Sequence, residues 1–127
     1  VDVWVRDSAE NLTKLNGALR ELGAAWGPTE QAWAPVPEDW RWLEKQSLFC
    51  LTTDYGAVDV FRDVRGLEGR YDECRHHSLA MTTGTGIPFT GLSDRHMLAC
   101  QEALPVPERK ARRMEILREA IRQQEHH

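Results

Sequence analysis

Two short stretches of the chain alternate valine with a single acidic residue. They are residues 1–5 (VDVWV) at the start and residues 57–61 (AVDVF) near the middle. Alternate residues of a strand point to opposite faces, so the pattern predicts two strands whose valines enter a core while Asp2 and Asp59 project from the other face. If the two strands are neighbours, both acids lie on one face of one sheet.

A helical period follows the first strand. Asp7 and Ser8 are both suitable N-cap residues, Glu10 follows Asp7 at capping-box spacing, and Gly23 is typical of a helix end. The pattern predicts an amphipathic helix from about Ser8 to Leu22. Its apolar stripe consists of Leu12, Leu15, Leu19 and Leu22.

Residues 24–46 break this regularity, because three prolines interrupt them and four tryptophans lie among them. Two structures fit: a strand followed by a long ordered loop, or a lid over a pocket. The tryptophans either cover an end of the core or offer an indole on which a base stacks. Residues 47–53 then have the composition of a strand and residues 54–56 that of a turn, so we expect an antiparallel hairpin with the Asp59 strand.

The second half of the chain is expected to contain one or two helical turns, a hairpin and two closing helices. Residues 71–77 predict one or two helical turns, and residues 78–82 and 87–90 predict short strands around a glycine-rich turn. A short helix from Ser93 to about Ala103 follows. Two prolines end it, and a last helix from about residue 108 to residue 124 is predicted. That helix places Ala111, Met114, Leu117 and Ile121 inward.

The order of these elements predicts an α/β (α+β) fold, in which helices pack on a mixed β-sheet and a helix pair ends the chain. With 127 residues, of which 41% are hydrophobic, the chain fits one domain spanning residues 1–127. Three cysteines far apart in sequence form no pairing pattern. Reduced thiols are therefore expected, with Cys50 and Cys100 buried.

The charge balance limits the partners of the chain. A net charge of −4 excludes a surface that is basic overall, so nucleic-acid binding needs a local patch. The candidate is residues 109–113, which either meet a phosphate or an RNA backbone or form a solvated face that nearby glutamates neutralise. No apolar run reaches membrane-spanning length and no secretory signal is visible, which favours a cytoplasmic protein with no membrane partner.

Two carboxylates on one sheet face suit a hard divalent cation. Mg²⁺ takes oxygen ligands and is usually held by one or two protein carboxylates plus substrate phosphates. The alternative is that Asp2 and Asp59 are outward polar residues of half-solvated strands.

Other candidate chemistry is weaker. Cys74, His76 and His77 lie close together in sequence but lack a second pair of ligands at zinc spacing, so solvated histidines in a loop are the competing interpretation. The two terminal histidines, His126 and His127, resemble the remnant of a purification tag and are left out of any metal site.

Three pieces of the chain, in their order and spacing, resemble the minimal nucleotidyltransferases of the DNA polymerase β-like superfamily. The first joins the VDVWV strand to residues 8–12 (SAENL) and 18–24 (ALRELGA). The second is residues 55–60 (YGAVDV), and the third is residues 91–94 (GLSD), which lead into the closing helix pair. The similarity spans nearly the whole chain.

In that family one strand carries an Asp-x-Asp pair and a neighbouring strand a third Asp, and together they bind two Mg²⁺ ions that align a nucleoside triphosphate. The resemblance implies that Asp2 is the second acid of the pair and Asp59 the third, as ligands of Mg²⁺ or Mn²⁺. The first acid and the family's glycine-serine turn would precede Val1, so the active-site signature is incomplete here. Arg109 and Lys110 replace a Lys-Asp pair of the family and are candidate phosphate contacts.

The function expected on this basis is a metal-dependent, nucleotidyltransferase-like protein that transfers a nucleoside monophosphate from a nucleoside triphosphate to a hydroxyl acceptor. Asp59 is also placed to accept the proton of the attacking hydroxyl. One alternative is a non-catalytic member of the fold that binds a protein partner or a second copy, such as the antitoxin-like half of a toxin–antitoxin pair. Another is an RNA-binding module that uses the C-terminal arginines and the tryptophan segment.

Overall fold

The computed structural model describes residues 1–126, with Glu30 described by its backbone alone. The chain divides into two compact units, residues 1–63 and residues 64–127. The expected fold class, α+β with a mixed sheet and a closing helix pair, is confirmed. A single domain spanning residues 1–127 stays a prediction. His127, and with it part of the interpretation of the terminal histidines, lies outside the described residues.

The first unit contains one helix and a five-stranded mixed sheet. Its elements are β1 (Asp2–Trp4), α1 (Ala9–Glu21), β2 (Ala25–Trp26), β3 (Ala34–Pro35), β4 (Leu48–Thr53) and β5 (Gly56–Phe61). The strand order is β1-β5-β4-β2-β3. β1 pairs with β5 in parallel, and the remaining pairs are antiparallel, so the predicted β4–β5 hairpin is confirmed.

The predicted first helix is confirmed with both of its end signals. The Ser8 hydroxyl accepts a 3.2 Å hydrogen bond from the backbone N–H of Asn11, so Ser8 is the N-cap. Gly23 adopts a φ of 69° directly after the helix, a conformation that residues with a Cβ adopt rarely. Leu12 and Leu19 are buried, as the apolar stripe predicts.

The core of this unit lies between α1 and one face of the sheet. Phe49, Leu51 and Val60 contribute side chains from β4 and β5 that are at most 1% exposed. Because burial of apolar surface is the main stabilising contribution to folding, these strands fix the position of the residues that alternate with them on the other face.

The tryptophan segment forms β2, β3 and two short 3₁₀ helices, Glu30–Ala32 and Trp40–Lys45. Trp26 and Trp42 pack against Phe49, with ring centroids 5.3 Å and 4.9 Å from the Phe49 centroid. Trp33 is 41% exposed. Trp42 therefore belongs to the core, Trp26 and Trp40 pack against it, and Trp33 lies at its margin.

The second unit contains three helices and a two-stranded sheet. Its elements are α2 (Tyr71–His76), β6 (Leu79–Thr82), β7 (Pro88–Gly91), α3 (Asp94–Glu102), a 3₁₀ helix (Val106–Glu108) and α4 (Ala111–Glu125). All of these elements were predicted except the 3₁₀ helix, which occupies the residues between the two C-terminal helices. The last helix therefore starts at Ala111, three residues later than expected.

The two C-terminal helices pack against each other as a pair. Ser93 caps α3 by accepting a hydrogen bond from the His96 N–H, and Arg95 of α3 forms an ion pair with Glu125 of α4. Met114, Leu117 and Ile121 are buried as predicted, whereas Ala111 is exposed because it stands in the first turn. No helix within residues 1–126 combines the length and the apolar character needed to cross a bilayer.

Candidate functional site

Asp2 and Asp59 lie directly opposite each other on neighbouring strands. The parallel β1–β5 register pairs Asp2 with Asp59, and the Asp59 N–H donates a 2.8 Å hydrogen bond to the Val1 carbonyl. Paired residues of adjacent strands project from the same face, so the predicted adjacency of the two acids is confirmed. Asp2 is exposed and Asp59 is half-buried.

The two strands hold their acids with different rigidity. β5 is paired on both sides, and its Val60 is 1% exposed, so the Asp59 position is fixed by the core. β1 is an edge strand, where Val1 is 85% exposed and Val3 is 37% exposed. The expectation that all valines of the first stretch enter the core was therefore wrong, because an edge strand is covered on one side by a single neighbour.

Cys50 extends the row of polar side chains onto a third strand. The β4–β5 register pairs Cys50 with Asp59, so the three side chains lie in one line across β4, β5 and β1. Cys50 is exposed rather than buried as expected. The strand alternation explains the error, since buried Phe49 and Leu51 flank Cys50 and turn it to the opposite face.

The acids change the chemistry of this thiol. Partial burial raises the pKa of Cys50, and the Asp59 carboxylate raises it further through its charge and a hydrogen bond with the thiol. The charge of Asp2 adds a smaller effect in the same direction. Cys50 therefore stays protonated near neutral pH and acts as a neutral neighbour of the two carboxylates rather than as a nucleophile.

The sequence contained a signal for the position of Cys50. The two residues between β4 and β5 are Asp54 and Tyr55, and counting outward from them pairs Thr53 with Gly56 and Cys50 with Asp59. A two-residue turn fixes the register of a hairpin.

The face beside the acids is lined by small side chains. Thr52 pairs with Ala57, two residues from the Cys50–Asp59 pair and on the same face. Ala57 is exposed. A ligand larger than a metal ion can therefore approach the carboxylates from this side.

Two carboxylates that project from one face of strands about 4.8 Å apart suit one hard divalent cation, because Mg²⁺ is usually held by one or two protein carboxylates. Among residues 1–126, no three His, Cys, Asp and Glu side chains converge to hold a metal ion by themselves. A cation at Asp2 and Asp59 would complete its shell with water or phosphate oxygens, which is how Mg²⁺ is ordinarily bound.

Arg109 and Lys110, the predicted phosphate contacts, lie in the second unit at the start of the last helix. The Arg109 guanidinium donates to the carbonyls of Leu104 and Glu102, each at 2.9 Å, and so satisfies the C-terminal end of α3. The Lys110 N–H donates to the side chain of Gln101 at 2.9 Å, while Lys110 itself is exposed. Arg109 thus has a structural role in the second unit, and the Lys110 ammonium group has no hydrogen-bond partner among residues 1–126.

The cysteine–histidine cluster of the second unit is built around burial. Cys74 is 1% exposed, and burial raises its pKa. His96, which the sequence did not single out, is 8% exposed, and its Nδ1 lies 3.0 Å from the Ser93 hydroxyl. Burial first, and then the charge of Arg70, lowers the pKa of His96, so the imidazole is neutral at pH 7. His76 and His77 are exposed, and no group of three possible metal ligands forms around Cys74 within residues 1–126.

No family model matches the chain, and neither a curated protein nor a solved structure matches it. The resemblance to minimal nucleotidyltransferases therefore rests on the motifs and on the geometry of the two acids. Membership in that family stays a prediction.

Proposed function

We propose that this protein is a metal-dependent nucleotidyltransferase that transfers a nucleoside monophosphate from a nucleoside triphosphate to a hydroxyl acceptor. The observation that supports the proposal is the parallel register of Asp2 with Asp59. It gives two carboxylates on neighbouring strands and on one open face, which is the arrangement that the motif resemblance implies.

Asp2 and Asp59 are the proposed ligands of Mg²⁺ or Mn²⁺. When bound, such an ion would align the attacking and leaving oxygens and neutralise the charge of the phosphates. Asp59 is the better general base, because it is the less exposed of the two acids and its strand is held on both sides. Its carboxylate would accept the proton of the attacking hydroxyl.

The two basic residues, Arg109 and Lys110, differ in how readily each could bind a phosphate. Lys110 is exposed and offers a point charge to a phosphate. Arg109 would have to release two backbone carbonyls before it could bind a phosphate through its fork. We therefore propose Lys110 as the phosphate contact and Arg109 as the residue that positions the start of α4.

A thermal-unfolding experiment tests the proposal. ATP with Mg²⁺ is expected to raise the unfolding temperature by a few degrees, because a ligand that binds the folded state stabilises it by mass action. ATP with EDTA is expected to give no rise. The effect should vanish in Asp59→Asn and persist in Asp54→Asn, which removes the same charge from the turn of the same hairpin.

The matched transfer assay uses α-labelled ATP and the unfractionated protein of a cell extract as acceptor. Label transfer by the parent chain, lost in Asp59→Asn and retained in Asp54→Asn, supports the enzymatic proposal. No thermal response to any nucleoside triphosphate with Mg²⁺ or Mn²⁺ contradicts it.

A non-catalytic binding module is the second candidate. The engagement of the Arg109 guanidinium by two carbonyls favours it, since one of the two proposed phosphate contacts is then occupied. If this candidate is right, neither a nucleotide nor Asp59→Asn changes the unfolding temperature. The protein then binds another protein saturably, such as the toxin of a toxin–antitoxin pair.

A further inference from the structure

The hairpin of β6 and β7 exposes an apolar face. Leu79, Met81 and Phe89 are 44%, 47% and 45% exposed, and Ile87, just before β7, is 62% exposed. Met81 pairs with Phe89, and the Thr83 N–H donates to the Ile87 carbonyl at 2.9 Å, so these four side chains lie on the same face. A two-stranded sheet by itself is marginally stable in water, so the hairpin gains stability from a further strand.

The outer edge of β6 carries backbone groups without a strand partner. In an antiparallel pair the inward-pointing and outward-pointing groups alternate along each strand. The Thr83–Ile87 bond therefore directs the groups of Leu79 and Met81 toward β7 and those of Ala80 and Thr82 outward. Within the described residues, β6 pairs with β7 alone. Ala80 and Thr82 thus present their N–H and C=O groups to a neighbour.

The outer edge of β7 is different. By the same alternation Pro88 and Thr90 point outward there, and Pro88 has no N–H to donate. Proline on an outer edge prevents a further strand from pairing. The hairpin therefore has one edge that accepts a strand and one edge that does not.

The hairpin is also free of charge. Residues 78–93 contain no charged side chain and no histidine, in a chain of which 28% of the residues are charged. Charged residues are a common protection against edge-to-edge pairing, and β6 lacks it. Arg75 lies beside the hairpin, where it lines a cavity with Ala80 and Thr82, but the strands themselves place no like charges opposite each other when two hairpins meet.

We propose that β6 pairs antiparallel with β6 of a second copy of the chain, so that two hairpins form a four-stranded sheet about a two-fold axis. Ala80 then lies opposite Thr82 of the partner subunit, and Thr82 lies opposite Ala80 of the partner subunit. Each pair exchanges two backbone hydrogen bonds, which gives four. Met81 lies opposite Met81 of the partner subunit at the axis. The apolar faces of the two hairpins become one continuous stripe.

The geometry limits the assembly to two copies. The same edge is used by both chains, so the contact is isologous and closed. Pro88 prevents the outer strands from extending the sheet. An interface of one short strand pair buries less than about 1,200 Å², which is the range of weak associations, so the dimer forms at high protein concentration.

Sedimentation equilibrium of the full chain tests the proposal. The weight-average mass is expected to rise from one chain toward two as the concentration increases from about 10 μM to about 1 mM, the range of weak complexes. A chain that remains monomeric throughout overturns the proposal.

Two proline variants form a matched pair. Ala80→Pro removes an outward N–H from β6. Thr90→Pro removes one from the outer edge of β7, where Pro88 already prevents pairing. Neither removes a hydrogen bond between the two strands. Loss of the dimer in Ala80→Pro alone supports β6 pairing. An equal effect of both variants overturns it. A dimer that Phe89→Lys abolishes and Ala80→Pro does not also overturns it, because that result means that the apolar faces pack against each other.

A disulfide test does not depend on folding of the proline variants. Residues that face each other in a non-hydrogen-bonded antiparallel pair have Cα atoms about 4.5 Å apart, within the range of a disulfide. Met81→Cys is expected to give an oxidised dimer linked through the two introduced thiols, identified by peptide mass. Phe89→Cys, on the far strand, serves as the control. Equal crosslinking of the two variants contradicts the proposed register.

Discussion

The indole N–H of Trp42 donates a 2.8 Å hydrogen bond to the side-chain oxygen of Asn16. Asn16 is 2% exposed on α1, and its amide nitrogen donates to the carbonyls of Pro37 and Glu38, each at 3.0 Å. One buried amide thus joins the helix to the tryptophan segment and satisfies three polar groups that would otherwise lack partners in the core.

Replacing this amide with an apolar group of similar size should strongly destabilise the first unit. Asn16→Leu leaves the Trp42 N–H and two carbonyls without partners, and we expect a loss of about 2–4 kcal/mol in the free energy of unfolding. Urea titration followed by tryptophan fluorescence measures it. Asn11→Leu is the control, since Asn11 makes one exposed bond to the Arg6 carbonyl at 2.9 Å. Equal losses in the two variants would show that the buried network is not important.

The sequence predicted the helix around Asn16 but not the role of this residue. Leu12, Leu15 and Leu19 define a stripe by their spacing, and the stripe is enough to predict which face is buried. Asn16 lies on that stripe as a polar exception, and its partners are 21 to 26 residues away. Such a network forms only when segments distant in sequence meet in the folded chain, and local periodicity does not predict those contacts. For the same reason the tryptophan segment remained ambiguous between a loop and a lid.

A second structural test concerns Arg62, which follows β5. Its Nε and Nη2 bind both oxygens of the Asp7 carboxylate at 3.0 Å and 3.2 Å, and its Nη1 donates to the carbonyls of Leu43 and Gln46. Lysine cannot reproduce this planar fork. Arg62→Lys should therefore lower the free energy of unfolding by about 1–3 kcal/mol, as measured by urea titration.

Arg41→Lys is the matched control for Arg62→Lys. Arg41 pairs with Asp39, but its side chain is 67% exposed, compared with 20% for Arg62. An exposed pair contributes little, so a change within about 0.5 kcal/mol is expected. A larger loss in Arg41→Lys than in Arg62→Lys would contradict the role assigned to Arg62.

The pH dependence of Cys50 alkylation reports on the row of side chains on the open face. The thiolate is the reactive form, and burial together with the charges of Asp59 and Asp2 raises the pKa of Cys50, so the alkylation rate should rise only at pH values above those of an ordinary thiol. Asp59→Asn removes the larger of the two carboxylate effects. The pKa should fall, although burial still holds it above its ordinary value, and the rate at a fixed pH near 8 should increase several-fold.

Mass spectrometry of the alkylated peptides separates Cys50 from Cys74 and Cys100. Asp2→Asn should shift the profile in the same direction by less, and Asp54→Asn should leave it unchanged. A profile that does not respond to Asp59→Asn would mean that the thiol and the carboxylate are not neighbours in solution.

The candidate site was partly predictable. The alternation of valine and aspartate gave the shared face of Asp2 and Asp59, because a strand has a fixed period of two. The pairing of β1 with β5 could not follow from local pattern, since the two strands are more than fifty residues apart in sequence. Arg109 was proposed as a phosphate contact because, with Lys110, it replaces a Lys-Asp pair of the resembled family. Its bonds to the end of α3 depend on the 3₁₀ helix that the sequence did not predict.

The most direct test of a shared cation is a titration of the protein with Mn²⁺, followed by the electron paramagnetic resonance signal of the free ion. The parent chain should bind Mn²⁺ saturably at one site, and excess Mg²⁺ should release it. Asp2→Asn and Asp59→Asn should each abolish this binding, while Asp54→Asn retains it. If all four proteins give the same titration, or if the parent chain binds no Mn²⁺, the two acids do not hold a metal ion and the enzymatic proposal fails.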